Sequence, residues 1–179
     1  MGHARVDWDR FVSEHAGRVL RIALRILGRI EDAEDVSQEV LKECLQVEMS
    51  TGMRDPTAVA VRLPTVRSLD KLRRRRARPE WATPIHDSDR TTLIGPSEDA
   101  VASELADWLR DAVASLPPRQ AEVFSLMAME NASREEVANL LGISVEATST
   151  ALFKARKALG AALERRTCTE TPKTIARTS

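Results

Sequence analysis

Apolar residues recur at helical spacing along nearly the whole chain, and strand-like alternation persists nowhere. From Asp7 or Asp9 to Leu27, the positions Phe11, Val19, Ile22, Ala23, Ile26 and Leu27 share one stripe, with Gly28 as the stop. Ala33, Val36, Val40, Cys44 and Val47 predict a second helix from about Glu31 to Val47, after which Thr51, Gly52 and Pro56 mark a break. A third helix is expected from Thr57 to Arg76, although Pro64 removes a backbone donor inside it and should kink it or divide it in two. Together these helices form an N-terminal bundle over residues 1–78.

Residues 79–96 change character: Pro79, Pro84, Gly95 and Pro96 stand among Asp, Ser and Thr, with too few apolar side chains to pack alone. This stretch reads as a flexible linker. A second helical domain follows over residues 97–166. In it Ser97 caps a helix bearing Val101, Leu105, Trp108, Leu109, Ala112, Val113 and Leu116, which Pro117 and Pro118 end. Another helix, Arg119 to Glu130, carries Val123, Phe124 and Met127. Residues 167–179 form a polar tail expected to be disordered.

The most specific pattern lies between Ser133 and Ala151. Ser133 can cap a short helix and Glu136 can complete a capping box, while Val137, Leu140 and Leu141 point inward. Ala138 is small where a second helix must approach, and Gly142 supplies the positive φ that turns the chain. Ile143 plugs the core. Ser144 then caps a helix buried through Val145, Leu152, Ala155 and Leu159, which leaves Glu146, Ala147, Ser149, Thr150, Phe153, Lys154 and Lys157 mostly outward. That is a helix-turn-helix, in which the early outer residues of the second helix face base edges in the major groove. A plain helical hairpin would share its capping box and glycine turn.

Composition narrows the class. The 179 residues include only 3% aromatics and no Tyr, which favours helices packed with Leu, Val, Ile and Ala over a β-sandwich. The fold class is therefore all-α: two small helical domains joined by a flexible linker, the C-terminal one a helix-turn-helix. Cys44 and Cys168 have neither CxxC spacing nor a nearby His, so no metal site or disulfide framework is indicated, and Cys44 reads as a small core residue. No cofactor is called for. No apolar run is long enough to insert in a membrane and the N-terminus lacks a signal-peptide core, so a cytoplasmic protein is expected. His3, His15 and His86 are scattered, with no nucleophile or carboxylate pair to converge on them, which argues against an enzyme.

The net charge is zero, from 27 basic and 27 acidic side chains, but the charges are partitioned. Glu31, Asp32, Glu34, Asp35, Glu39, Glu43, Glu48 and Asp55 face only Lys42 and Arg54 in their stretch. Arg62, Arg67, Lys71, Arg73, Arg74, Arg75, Arg76 and Arg78 follow, opposed by Asp70 alone. Such a chain has one side for a basic protein surface and another for a polyanion.

The order of parts resembles the extracytoplasmic-function sigma factors of bacterial RNA polymerase, from roughly Asp7 to Leu163. The phrases that carry the resemblance are FVSEHAGRVLRIALRILG, EDAEDVSQEV, LDKLRRRRAR, LPPRQAEVFSLMAMENASREEVANLLGIS and LFKARKAL. It implies that Asp32, Asp35, Gln38 and Glu39 dock on a coiled coil of the polymerase β′ subunit, where the residues alone favour a solvated acidic face. It also implies that the segment with Arg67, Asp70, Lys71, Arg73 and Arg74 meets the promoter −10 element, its cations neutralising phosphates. The helix-turn-helix, through Ser144, Glu146, Ala147, Ser149, Thr150, Phe153, Lys154 and Lys157, would read the −35 element. The implied partners are core polymerase, through its β′ and β subunits, and promoter DNA; the sequence leaves open whether an anti-sigma factor holds the chain inactive.

Departures from the family pattern matter as well. Val59 and Val66 stand where relatives often carry Trp and Asn, so no aromatic remains there to stack an unpaired base. Thr148, Ser149 and Ala151 stand where Val, Lys and Arg are common, which predicts an unusual −35 sequence or binding that depends on the polymerase. The alternative function is a stand-alone regulator or decoy that binds DNA without starting transcription. With acidic and basic surfaces on one chain, the two domains can also pair with each other in the free protein.

Overall fold

The computed structural model describes residues 6–77 and 99–169, and every regular element among them is a helix. Helix α1 (Trp8–Leu27) starts where the Asp7 carboxylate accepts from the N–H groups of Asp9 and Arg10 at 3.1 and 3.2 Å. It ends at Gly28, whose φ of 74° and N–H bond to the Leu24 carbonyl close the last turn. Its buried residues are the six of the predicted stripe.

Helix α2 (Ile30–Ser50) runs one residue earlier and three later than its apolar stripe predicts. Val47 is half-buried, and the buried side chain at this end is Glu48. The Glu48 carboxylate accepts from the N–H groups of Val6 and Met53, both at 2.8 Å, so it ties the N-terminal segment and the α2–α3 turn to one anion. Two backbone donors that would otherwise be orphaned explain why a charge is tolerated there.

Helix α3 (Pro56–Arg76) begins with Asp55 accepting from Ala58 N at 2.9 Å and with Pro56 in the first turn. Of the two outcomes expected at Pro64, division does not occur: the helix runs through it. The buried residues Ala60, Val61, Pro64, Thr65, Ser68, Leu69 and Leu72 form one unbroken stripe through the proline, packed on α1 and α2. Packing along both sides of Pro64 outweighs the single lost donor. The Thr65 hydroxyl adds a bond to the Val61 carbonyl at 2.8 Å, within the same turns.

The other group comprises α4 (Asp99–Ala114), α5 (Pro118–Met129), α6 (Arg134–Leu141) and α7 (Val145–Thr169). The expected cap Ser97 and the linker 79–96 lie outside the described residues. On α4 the core is made at the C-terminal end by Ala112, Val113 and Ala114, with Trp108 and Leu109 half-buried. Leu105, expected on the same face, is exposed. Helix α7 runs three residues past Arg166 into the segment expected to be a disordered tail; residues 170–179 lie outside the described residues. Arg166 fastens this end, with its guanidinium 5.8 Å from the Trp108 ring centroid and 4.0 Å from the Glu104 carboxylate. The two groups touch: α3 packs on α4 and α5, and one contiguous core cluster includes residues of both.

Candidate nucleic-acid interface

The helix-turn-helix forms as its sequence dictates. The Ser133 hydroxyl accepts from Glu136 N at 3.1 Å and the Glu136 carboxylate accepts from Ser133 N at 2.7 Å, completing the capping box. That backbone bond, followed by the side-chain bond to Ser133, holds the Glu136 carboxyl below the usual range. Gly142 has a φ of 62°, and the N–H of Ile143 closes the turn on the Ala138 carbonyl at 3.0 Å. Val137, Ala138 and Leu141 are buried beneath α7.

Helix α7 starts at Ser144, whose hydroxyl accepts from Ala147 N at 3.1 Å. Ala151, Leu152, Ala155 and Leu159 face the core, while Glu146, Ala147, Thr150, Phe153, Lys154 and Lys157 are exposed and Ser149 is half-exposed. These side chains make one continuous outer face. Phe153 is 68% exposed, an uncommon placement for a large aromatic with no covering element. Ser144 serves the helix as its cap.

The acidic and basic stretches meet on α2 and α3, and they meet each other. Arg67 makes a bidentate bond to Glu43 at 2.7 and 2.8 Å, and that bond raises its pKa. Lys71 lies 3.0 Å from Asp32 and 3.1 Å from Asp35. Burial alone would lower the Lys71 pKa, but hydrogen bonds to the two carboxylates outweigh it and the pKa is raised. Arg75 lies 3.8 Å from Asp32, and Arg73 bonds Asp70 at 3.1 Å. Of the cations expected to face phosphate, Arg67, Lys71 and Arg73 are therefore committed to carboxylates of this chain, while Arg74 is exposed. On the acidic side Asp35, Gln38 and Glu39 are exposed and Asp32 is half-buried under its two cations.

Glu43 and Arg75 were not singled out from the sequence as site residues. The structure pairs Glu43 with Arg67, Asp35 with Lys71 and Asp32 with Arg75, which step in opposite directions along two helices, as antiparallel neighbours must; this register comes from packing and has no local sequence signal. Among the described residues no group of His, Cys, Asp and Glu is placed to hold a metal ion, and no helix is long and apolar enough to cross a membrane.

Residues 106–159 match the family model for sigma-70, region 4, a span covering α5, α6 and part of α4 and α7. Over 162 residues, 87% of its length, the chain is 33% identical to the ECF RNA polymerase sigma factor SigE of Mycolicibacterium smegmatis. It is 23% identical over 165 residues to the ECF RNA polymerase sigma factor SigW of Bacillus subtilis, covering 88% of that protein. The chain is thus similar to extracytoplasmic-function sigma factors along most of its length, and to sigma-70 region 4 over residues 106–159. It spans 61% of the length of SigE. In fold it is similar to CnrH, solved in complex with the cytosolic domain of CnrY, with a TM-score of 0.55 at 21% identity over 88% of both chains. A sigma factor RpoE solved with the anti-sigma factor NepR from Bartonella quintana gives 0.54 at 18% identity, over 88% of this chain and 97% of that one.

Within this fold the departures from the resembled pattern acquire positions. Val59, where the family often has Trp, is half-buried against the core, and Val66 is half-buried on the same helix. Thr148 is fully buried, and its hydroxyl donates to the Ser144 carbonyl at 3.1 Å, which lets a polar residue fill an apolar slot. Ala151 is buried at 8% exposure, so the small side chain fits between α7 and its neighbours where a long cation would have to reach outward.

Proposed function

We propose that the protein binds core RNA polymerase and directs it to specific promoters to initiate transcription, without catalytic residues of its own. The observation that carries this reading is the pairing, in one chain, of an exposed polar edge on α2 with a fully formed helix-turn-helix whose recognition face is open. Asp35, Gln38 and Glu39, with Asp32 behind them, would dock on the polymerase β′ subunit. The exposed cation Arg74 would contribute to phosphate contacts at the −10 element, with Lys71, Arg73 and Arg67 released only in exchange for their present carboxylates. At the −35 element Glu146, Ala147, Ser149, Thr150, Phe153, Lys154 and Lys157 would line the major groove, where Phe153 can meet a thymine methyl. The β subunit and an anti-sigma factor are further partners; the likeness in fold to a sigma factor RpoE solved with the anti-sigma factor NepR supports the second. The domain reading, a polymerase-binding and −10-binding unit at residues 1–78 and a −35-binding unit at 97–166, belongs to the same proposal, as does a cytoplasmic site of action.

The test is fluorescence anisotropy of the labelled chain with bacterial core polymerase, beside a Gln38→Ala, Glu39→Arg variant. Those two side chains are exposed, so the fold should survive their change. Tight binding that the variant weakens by about tenfold or more is the expected result. An intact helical spectrum without binding by the parent chain would instead favour a stand-alone DNA-binding regulator.

A further inference from the structure

Where the two helical groups meet, one carboxylate is gripped by two guanidinium groups of a single helix. Glu130 follows α5, and its side chain is only 9% exposed. Its Oε1 accepts from Arg25 Nη1 at 3.0 Å and its Oε2 lies 4.0 Å from Arg18 Nε. Arg25 Nη1 also donates to the Met129 carbonyl at 2.6 Å. Arg18 and Arg25 stand two turns apart on α1 and so address the same turn of the partner group. That turn continues through Asn131, which has a φ of 52° and is the one non-glycine residue with positive φ among those described.

Two more arginines cross the seam. Arg76 Nη1 donates to the Asp111 carbonyl at 3.0 Å, and Arg110 lies against the backbone of Gly28. Beside them runs an open groove lined by Arg25, Ala106, Leu109, Arg110, Ala128 and Met129. Beside the apolar contacts of the shared core, the seam is thus fastened by charge and hydrogen bonds. Arg18 and Arg25 remain 39% and 53% exposed, so competing ions can reach them. Arg76 lies at the basic end of α3, two residues beyond Arg74, so the closed arrangement engages a cation next to the proposed −10 surface.

We propose that Glu130 with Arg18 and Arg25 is a latch that holds the C-terminal helices folded back on the N-terminal bundle in the free chain, and that it opens before the two groups reach separate promoter elements. The second half of this statement rests on the sigma-factor reading above; the first does not.

Energy transfer between dyes tests it in the full chain. Cys168 is exposed and Cys44 buried, so a Ser13→Cys change on the exposed side of α1 gives a specific dye pair. A high-transfer population that shrinks as salt is raised is expected for the parent. Glu130→Arg should shift the open-to-closed ratio by about tenfold or more, since it sets three cations together at a largely buried point. The exchange Arg25→Glu with Glu130→Arg should restore the high-transfer population. Unchanged transfer in Glu130→Arg, or a parent that shows low transfer at every salt concentration, overturns the latch. If Glu130→Arg loses its helical spectrum, Arg25→Ala at the exposed partner decides, and unchanged transfer there overturns it equally. The readout needs no polymerase: a latch present in a chain that does not bind core enzyme would sink the functional reading and leave the latch standing.

Discussion

Asp32 has Lys71 at 3.0 Å and Arg75 at 3.8 Å, and this pairing changes what a cation count on α3 means. A basic run binds phosphate only with the charges that face solvent. Arg74 is exposed, whereas Arg67 is held bidentately by Glu43. In salt titrations of binding to duplex DNA, Arg74→Ala should therefore reduce the slope of log affinity against log salt by about one. Arg67→Ala should leave the slope unchanged and instead lower stability by about 0.5 to 1 kcal/mol, the modest value appropriate to a partly exposed pair. Equal effects on the slope would show that the Glu43 bond does not persist on DNA. From the sequence the acidic and basic blocks were legible, and so was their separation by a turn; their mutual neutralisation was not. Charge type can be read along the chain, but which carboxylate meets which cation depends on the register of α2 against α3, and that is set by packing around Val36, Val40, Leu69 and Leu72.

Two helices end in the same way yet sit in different surroundings. Gly28 and Gly142 both cap with positive φ, at 74° and 62°. A Cβ on Gly142 meets nothing within 4 Å, whereas a Cβ on Gly28 would lie 2.5 Å from Cζ of Arg110. Gly142→Ala should therefore cost only the left-handed backbone penalty, roughly 1 to 2 kcal/mol. Gly28→Ala should cost that and also displace Arg110, so it should cause the larger fall in melting temperature and loosen the seam. The comparison fails if thermal melts show Gly142→Ala to be the more damaging. Both stops were legible, as were the stripe of α1 and the capping box of α6, because each follows from local chemistry. That Pro64 does not divide α3 was not legible for the opposite reason: its donor loss is local, but the burial of Ala60, Val61, Thr65 and Ser68 that keeps α3 continuous comes from other helices. Glu48 behaves likewise, since its backbone partners Val6 and Met53 are brought to it by the fold.

The whole molecule offers a thiol at each extreme of access. Cys44 is fully buried, and burial, with a smaller contribution from Glu43, pushes its pKa up to about 11. Cys168 is exposed near the end of α7. At mildly alkaline pH a thiol reagent should modify one cysteine per chain promptly and reach the second only as fast as the N-terminal bundle opens, since the native Cys44 holds its proton. Prompt modification of both thiols in the folded chain would mean that the bundle is looser than its core packing implies. The ion-pair ladder of α2 and α3 also bears on how the molecule meets polyanions at a distance. Opposite charges 3 to 4 Å apart cancel beyond a screening length of about 8 Å, so much of this basic helix casts little attraction on distant nucleic acid. A molecule built this way is held by bulk polyanion less tightly than its count of basic residues alone implies.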